Sequence, residues 1–234
     1  MRRSVAASAL RSRSPASCLA GTSAPSSRKP VSSVCVRLEH VSQAVKELQG
    51  TPVAVACVIG FHEGTSSTDD KVAETRSAVC QGARELDMVM NYPWLQAGRY
   101  QDVYADIVAV RQAAAAVAAS DGPVTLKVIL ETSQLSRDQI VAGCVVVCLA
   151  EADFVKTSTG FNGAGASVEN VALMRAVVEN LQKGVKVKAS GGVRTAEDCI
   201  MMLRAGAERI GTSAGVKIVS ELESQGSGVT VRDY

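Results

Sequence analysis

The chain has 234 residues, of which 47% are hydrophobic, so it can bury the core of one domain, such as an α/β barrel of about 200 to 250 residues. A net charge of +2 gives no reason to expect a nucleic acid or membrane partner, and 3% aromatic residues argue against base stacking. No apolar run approaches the ~20 residues that a membrane span requires, so we expect a soluble, cytoplasmic protein.

The first thirty residues differ in composition from the rest of the chain. They contain six basic residues and many Ser and Ala, and no acidic residue precedes Glu39. Such a composition is typical of a mitochondrial-type transit segment and equally of a disordered extension that carries no targeting signal. Both interpretations stay open. We expect residues 1–30 to lie outside a fold that spans residues 31–222, with residues 223–234 as a flexible tail.

From residue 31 onward, short β-type runs alternate with helical ones. The predicted strands are residues 31–36, 53–59, 85–90, 125–131, 153–158, 185–190 and 209–211. The helical stretches between them include residues 68–81, 100–119, 136–150, 168–181 and 196–205. This alternation predicts repeated βαβ units and a parallel sheet. Seven strands are visible where a closed (β/α)8 barrel has eight, so an open doubly wound sheet stays the alternative.

Four of the predicted strands carry charged residues that burial in a sheet does not explain. Asp87, Lys156 and Lys188 lie near the ends of three strands, and Lys127 lies within a fourth. A buried carboxylate is costly unless it is paired, whereas a buried lysine readily loses its proton and can then attack a carbonyl. Active sites of α/β proteins form at the carboxyl ends of parallel strands. The pattern predicts an amine nucleophile without saying which lysine attacks.

Glycine-rich turns follow the last two predicted strands. Gly191 and Gly192 follow one strand, and Gly211-Thr-Ser213 closes the next. Loops at these positions of a barrel commonly hold a phosphate through backbone N–H groups, so we expect a phosphate site.

The sequence offers little to other kinds of chemistry. Seven cysteines are scattered without a C-x-x-C pair, which favours reduced thiols in an intracellular protein. His40 and His62 lack the spacing of a His-based metal site. We therefore expect the chemistry to depend on lysines, carboxylates and hydroxyls, without a metal or cofactor.

Six segments resemble the deoxyribose-phosphate aldolase family, in the family's order and spacing. They are VIGF at 58–61, GARELDMV at 82–89, LKVILET at 126–132, DFVKTSTG at 153–160, KASGGVRT at 188–195 and RIGTS at 209–213. The similarity covers about residues 34–215. It implies a class I aldolase on a (β/α)8 barrel that needs no metal. The implied reaction is reversible cleavage of 2-deoxy-D-ribose 5-phosphate to acetaldehyde and D-glyceraldehyde 3-phosphate, in deoxyribonucleotide and carbohydrate catabolism.

The resemblance also implies roles for individual residues. Lys156 is the Schiff-base nucleophile, and Lys188 is the neighbouring cation that helps it to shed its proton. Asp87 works with Lys188 and a water in the proton transfers. The other matching positions are Lys127 and Cys35 in the pocket lining, Gly160, Gly191, Gly192 and Ser213 in the phosphate loops, and Tyr234 as a C-terminal residue for proton transfer.

Three features depart from the family pattern. The usual first strand, with its Asp-His-Thr-like segment, has no counterpart before Val31, so we expect this strand to be missing or replaced. Lys186 stands where many relatives have Gly. By strand alternation we expect it inside the barrel, where it meets a carboxylate such as Glu85 or stays unpaired. His62 stands at a common Pro position, as a loop residue without a catalytic role.

Three functions compete on these observations: an active aldolase, a catalytically degraded phosphosugar-binding barrel, and a Schiff-base lyase with another substrate. The intact set of Asp87, Lys156 and Lys188 favours the first. We expect phosphosugars and aldehydes as partners, no nucleic acid or membrane, and a homodimer or homotetramer such as relatives form.

Overall fold

The computed structural model describes residues 4–8, 31–118 and 122–224. Its parallel strands pair in chain order, and the last pairs with the first, so that the sheet closes. The strands are β1 Ser4–Ser8, β2 Ser33–Val36, β3 Ala54–Ile59, β4 Glu85–Val89, β5 Thr125–Ile129, β6 Phe154–Lys156, β7 Lys186–Ser190 and β8 Arg209–Thr212. This closed order confirms the barrel prediction and excludes the open doubly wound alternative.

Eight α-helices surround the barrel within the described residues. They are α1 Val41–Glu47, α2 Thr68–Cys80, α3 Tyr92–Gln96, α4 Tyr100–Ala118, α5 Arg137–Leu149, α6 Val168–Leu181, α7 Ala196–Arg204 and α8 Gly215–Ser224. Side-chain caps begin several of them: Ser136 forms a capping box with Gln139, and Thr195 forms one with Asp198. Such caps satisfy backbone N–H groups that have no partner within the helix. None of the described helices is long and apolar enough to cross a membrane.

The segment Ser4–Ser8, which was expected to lie outside the fold, forms the first strand of the barrel. Residue Ala7 of β1 pairs with Val34 of β2 on one side and with Thr212 of β8 on the other. For residues 4–8 the expectation of an extension outside the fold was therefore wrong. Of the predicted tail, residues 223–234, Glu223 and Ser224 end α8. Residues 1–3, 9–30 and 225–234 lie outside the described residues, so for them the division stays a prediction.

Backbone pairing explains why this segment can enter the barrel. The facing edges of β2 and β8 each present a row of N–H and C=O groups that need partners. The run from Ser4 to Ser8 is short, uncharged and free of proline and glycine, so it can supply those partners. The Asp-His-Thr-like strand of the family is not seen among the described residues, and β1 stands in its place.

Strand alternation divides the barrel into an apolar outer layer and a polar interior. In β4, Leu86 and Met88 pack in the main hydrophobic core beneath the helices, whereas Glu85 and Asp87 are buried on the other face. The same alternation in β5 sends Leu126 to the core and Lys127 inward. Because successive side chains point to opposite faces of a strand, charged residues at every second position meet inside the barrel.

Candidate active site

Three lysines that the sequence singled out converge on one carboxylate inside the barrel. The Nζ atoms of Lys156 and Lys188 each lie 2.6 Å from Oδ2 of Asp87. The Nζ atom of Lys127 lies 2.7 Å from Oδ1 of the same residue. These four side chains are at most 8% exposed. The four charged strand residues therefore lie together inside the barrel.

The register of the strands produces this convergence. Asp87 on β4 is the register partner of Lys127 on β5, and Lys156 on β6 is the register partner of Lys188 on β7. Four consecutive strands therefore contribute one charged side chain each, in two register pairs that are offset by two residues because Lys156 is the register partner of Ile129. Lys156 is the last residue of β6, whereas Asp87, Lys127 and Lys188 are each the central residue of their strand. Lys156 is therefore the member of the cluster nearest the carboxyl ends, where barrel active sites form.

A second ionic layer lies below this cluster and was only partly foreseen. Oε2 of Glu85 accepts a hydrogen bond from Ser33 Oγ at 2.7 Å and lies 2.7 Å from Lys127 Nζ. The Nη1 atom of Arg209 lies 3.2 Å from both carboxylate oxygens of Glu85. The signal available in the sequence was the spacing of Glu85 and Asp87, which places both on one face of a strand. Arg209 gave no comparable signal.

The electrostatics of the cluster separate its members. Burial alone would raise the pKa of Asp87, but the charges of the three lysines outweigh it and hold this pKa well below its usual value. Burial would lower the pKa of Lys127, but Asp87 and Glu85 reverse the effect and raise it. Asp87 is therefore a fixed anion, and Lys127 is a fixed cation between two carboxylates.

Lys188 behaves differently from Lys127. Burial lowers the pKa of Lys188 to about 8, and the charges of Lys156 and Lys127 act in the same direction against Asp87. Lys188 therefore exchanges a proton near physiological pH, as a general acid or base must.

One glycine makes room for the stem of Lys188. A Cβ atom at Gly211 of β8 would lie 3.0 Å from Lys188 Cε and 2.9 Å from Ser190 Cβ. Both distances are shorter than ordinary van der Waals contact, so a side chain at this position would displace Lys188 or Ser190.

The predicted pocket cysteine lies on the wall beside the cluster. Cys35 on β2 is buried and packs with Ala56 and Val58 of β3 in a small apolar group, with Phe61 against it. Burial raises the pKa of the Cys35 thiol, and the charge of Asp87 acts in the same direction. The thiol therefore stays protonated and contributes a small apolar surface to the wall.

The glycine loops predicted to bind phosphate are brought together in part. The backbone of Gly191 follows β7 and approaches the loop after β6 so closely that a Cβ at Gly165 would lie 2.1 Å from Gly191 O. A Cβ at Gly191 would lie 3.4 Å from Gly160 Cα. A Cβ at Gly192 would meet nothing within 4 Å, so its backbone faces open space. Ser213 follows β8 in an exposed bend.

Three further predictions concerned residues outside the cluster. Lys186 does not lie inside the barrel: it is exposed at the start of β7, with Nζ 5.7 Å from the centroid of the Phe154 ring. That expectation was wrong because the strand begins at Lys186, where the barrel opens to solvent, and Glu85 is already paired. His62 lies in the loop after β3, with Nδ1 2.8 Å from Glu63 Oε1. Tyr234 lies outside the described residues.

A barrel with a buried ion cluster rich in lysines in its interior is typical of enzymes that act on small molecules through amine and carboxylate chemistry. The family model described as DeoC/LacD family aldolase matches residues 19–221. The chain therefore belongs to the DeoC/LacD family of aldolases, which are lyases, as the resemblance implied.

Individual relatives agree with this assignment. A deoxyribose-phosphate aldolase from Coccidioides immitis (strain RS) is 65% identical over 188 residues, which are 80% of this chain and 68% of the relative. A crystal structure from Coccidioides immitis superposes with a TM-score of 0.79 at 63% identity, over 82% of this chain and 74% of that one. A tetrameric deoxyribose phosphate aldolase from Aeropyrum pernix superposes with a TM-score of 0.73 at 28% identity, over 82% and 78%. The degraded-barrel alternative is not favoured.

Proposed function

We propose that this aldolase reversibly cleaves 2-deoxy-D-ribose 5-phosphate to acetaldehyde and D-glyceraldehyde 3-phosphate through a Schiff base on Lys156. The observation that carries the proposal is the pair of amines, Lys156 and Lys188, held 2.6 Å from one oxygen of Asp87. The relatives are named deoxyribose-phosphate aldolases, which supports deoxyribose phosphate as the substrate. Removal of deoxyribose phosphate places the reaction in deoxyribonucleotide catabolism.

The choice of Lys156 over the other two lysines follows from access. Its side chain is 8% exposed, compared with 3% for Lys188 and none for Lys127. Lys156 also ends β6, so it directly precedes the loop that carries Gly160. A substrate whose phosphate lies against that loop would bring its aldehyde carbon to Lys156.

The reaction can be written in balanced steps. The amine of Lys156 adds to C1 of the sugar, and the carbinolamine loses water to give a protonated imine. A base removes the proton of the C3 hydroxyl, the C2–C3 bond breaks, and its electron pair moves toward the imine. D-glyceraldehyde 3-phosphate leaves, and an enamine stays on the lysine. The enamine takes up a proton at C2, and water then releases acetaldehyde and restores the amine.

The pKa directions assign the proton transfers within this scheme. The pKa of Asp87 is too low for its carboxylate to hold a proton near neutral pH, so it serves as a fixed anion that orients the amines. The pKa of Lys188 is about 8, so Lys188 with a bound water is the proton donor and acceptor.

The charge balance of the interior suits a phosphorylated substrate. In the ion cluster, four cations face two carboxylates, and the nearby Glu131 is bound by loop donors: the cations are Lys127, Lys156, Lys188 and Arg209, and the carboxylates are Asp87 and Glu85. An excess of positive charge in a site of low dielectric attracts an anion. The backbone N–H groups of the loops at Gly160, Gly191 and Gly192 would hold the phosphate, with Ser213 at their edge.

Reductive trapping tests the proposal. The protein is incubated with acetaldehyde and borohydride, and its peptides are analysed by mass spectrometry. We expect one ethyl group on Lys156, and we expect Lys156→Met to abolish both the adduct and the release of D-glyceraldehyde 3-phosphate. Lys186→Met is the matched control, because Lys186 is an exposed lysine outside the cluster and its loss should leave trapping intact. An adduct on Lys188 instead of Lys156, or no adduct on folded protein, would overturn the assignment.

We further propose that the protein acts in the cytoplasm as an assembly of two or four copies, for which the tetrameric relative from Aeropyrum pernix gives support. Light scattering would give the number of copies. Imaging of the full chain and of a chain without residues 1–30, each with a C-terminal fluorescent tag, would show whether that segment directs the protein to mitochondria.

A further inference from the structure

Glu131 is a buried carboxylate beside the active site that the reaction scheme does not use. It follows β5, its residue is 1% exposed, and it faces the loop between β6 and α6, residues 157–167. Its Oε1 and Oε2 atoms each lie 3.3 Å from Thr159 N, and Oε2 also accepts a short hydrogen bond from Thr159 Oγ1. The Nδ2 atom of Asn162 donates to Oε2 at 3.4 Å. Three donors of one loop thus bind one carboxylate.

The outer part of the same loop is held by separate contacts. The carbonyl oxygen of Asn162 accepts hydrogen bonds from Ser133 Oγ at 2.6 Å and from Gln134 Nε2 at 2.7 Å. Asn162 Nδ2 also donates to His62 O at 3.0 Å. Glu131 therefore holds the inner end of the loop at Thr159, next to Gly160, and also contacts Asn162, whereas the exposed side chains of Ser133 and Gln134 contact only the outer end.

The backbone of Glu131 has a conformation that its own residue type does not favour. Its φ of 58° and ψ of 62° lie in the left-handed region, which is unfavourable for a residue with a Cβ atom. Such conformations persist where surrounding contacts enforce them, and they cluster at active sites. The same residue makes the hydrogen bonds to Thr159 and Asn162 that hold its side chain in place.

A carboxylate without hydrogen-bond donors would repel a phosphate bound next to it. Burial raises the pKa of Glu131, and the hydrogen bonds from Thr159 oppose that shift because they stabilise the charged form. Because these donors occupy its oxygens, the Glu131 side chain contacts the protein and does not contact the substrate. The N–H group of Thr159 donates to Glu131, so the next N–H group, that of Gly160, is the one that can bind a ligand.

We propose that Glu131 is a positioning residue that fixes Thr159 and Gly160 so that the loop can bind the phosphate monoester of the sugar. This inference rests on the proposed function and deepens it, because it assigns Glu131 to phosphate recognition and not to the lysine chemistry. Its loss should therefore weaken binding of a phosphorylated sugar far more than cleavage of the same sugar without its phosphate.

The test compares 2-deoxy-D-ribose 5-phosphate with 2-deoxy-D-ribose as substrates of Glu131→Ala and Glu131→Gln. For the phosphorylated sugar we expect kcat/KM to fall about tenfold or more in Glu131→Ala, mainly through KM, because the charge-assisted bonds to Thr159 are lost. The loss with 2-deoxy-D-ribose should be much smaller. Glu131→Gln should lie between, because the amide oxygen can still accept one bond from Thr159.

Two further variants keep the test independent of folding. Thr159→Val removes the hydroxyl donor from the loop side and should reproduce part of the phosphate-specific loss. The matched control is Ser133→Ala, which loosens only the outer end of the loop and should leave the ratio between the two substrates near that of the parent chain.

The outcomes separate this inference from the proposed function. An equal loss for both sugars with a changed pH profile would assign Glu131 to proton transfer and overturn the inference. An unchanged substrate ratio in Glu131→Gln and Thr159→Val, both folded, would overturn it as well. A parent chain that traps no acetaldehyde on Lys156 would instead refute the proposed function.

Discussion

Asp87→Asn is the substitution with the largest expected effect on the free energy of unfolding. Removal of one partner from a buried ion pair costs about 3–5 kcal/mol, because the remaining charge is left buried without compensation. Here three ammonium groups lie within 2.7 Å of the carboxylate, so its removal leaves the interior with a larger excess of positive charge. The amide has nearly the same shape, so the effect reports charge and not a cavity.

Lys188 limits that cost. Its pKa is about 8, so a neutral Lys188 at pH 7 costs only about 1.4 kcal/mol. In Asp87→Asn, Lys188 can lose its proton, which removes one of the buried charges. We therefore expect a loss at the lower end of the range, about 3 kcal/mol at pH 7.

The pH dependence of this loss has a definite sign. In the parent chain the folded pKa of Lys188 lies below its unfolded value of 10.5, so the unfolded state binds more protons between about pH 8 and pH 10.5 and stability rises there. In Asp87→Asn the attraction of the carboxylate is gone, so the pKa of Lys188 falls further and the rise begins at lower pH. The gap between the two chains should therefore shrink as the pH rises toward about pH 8 and then stay constant.

Urea unfolding of both chains across that pH range measures the gap. The matched control is Asp102→Asn, because Asp102 forms an exposed ion pair with Arg99 at 2.7 Å and its loss should cost less than about 1 kcal/mol at every pH. If Asp87→Asn costs no more than this control, or if its deficit grows as the pH rises, the electrostatic account of the cluster is wrong.

Two other predictions follow from the same cluster. Lys188 donates and accepts protons with a pKa of about 8, so kcat should fall above that pH in the parent chain. Lys188→Arg cannot exchange a proton near neutral pH, so it should lower kcat, and the activity that is left should lack this fall; a fall that persists in Lys188→Arg would assign it to another group. Gly211→Ala should lower kcat about 100-fold in a folded protein, because its Cβ would lie 3.0 Å from Lys188 Cε, whereas Gly143→Ala, which crowds Leu130 and Leu95 in the outer core, should lose stability without that loss in rate; equal rates in the two variants would contradict the role of Gly211.

Local pattern predicted the parts of the fold that depend on neighbouring residues. Alternation of apolar and charged residues in β4 and β5 predicted both the strands and the inward direction of Asp87 and Lys127, because the pattern and the barrel share a period of two. Helix α6 was predicted at residues 168–181 and is found there, because Ser167 supplies a cap in the sequence itself.

Features that depend on distant partners were not predictable in this way. Arg209 pairs with Glu85, which is 124 positions away in the sequence, and nothing local to Arg209 predicts this contact. Lys186 obeys the alternation of β7 yet is exposed, because the period says which face a residue takes and not where the strand begins. The left-handed backbone of Glu131 has no signal in the sequence, and the donors to its side chain come from the loop after β6, which is distant in the sequence.

The replaced first strand bears differently on the barrel and on the chemistry. Every contact described for the ion cluster comes from β2 and from β4 to β8: Ser33, the two carboxylates, the three lysines and Arg209. The contribution described for β1 is backbone pairing with β2 and β8, which closes the ring. Because a closed barrel fixes the tilt and stagger of all its strands together, loss of that closure would disturb the register that places Lys188 beside Lys156. A first strand of different sequence can therefore be tolerated by the cluster as long as its backbone still joins the two edges.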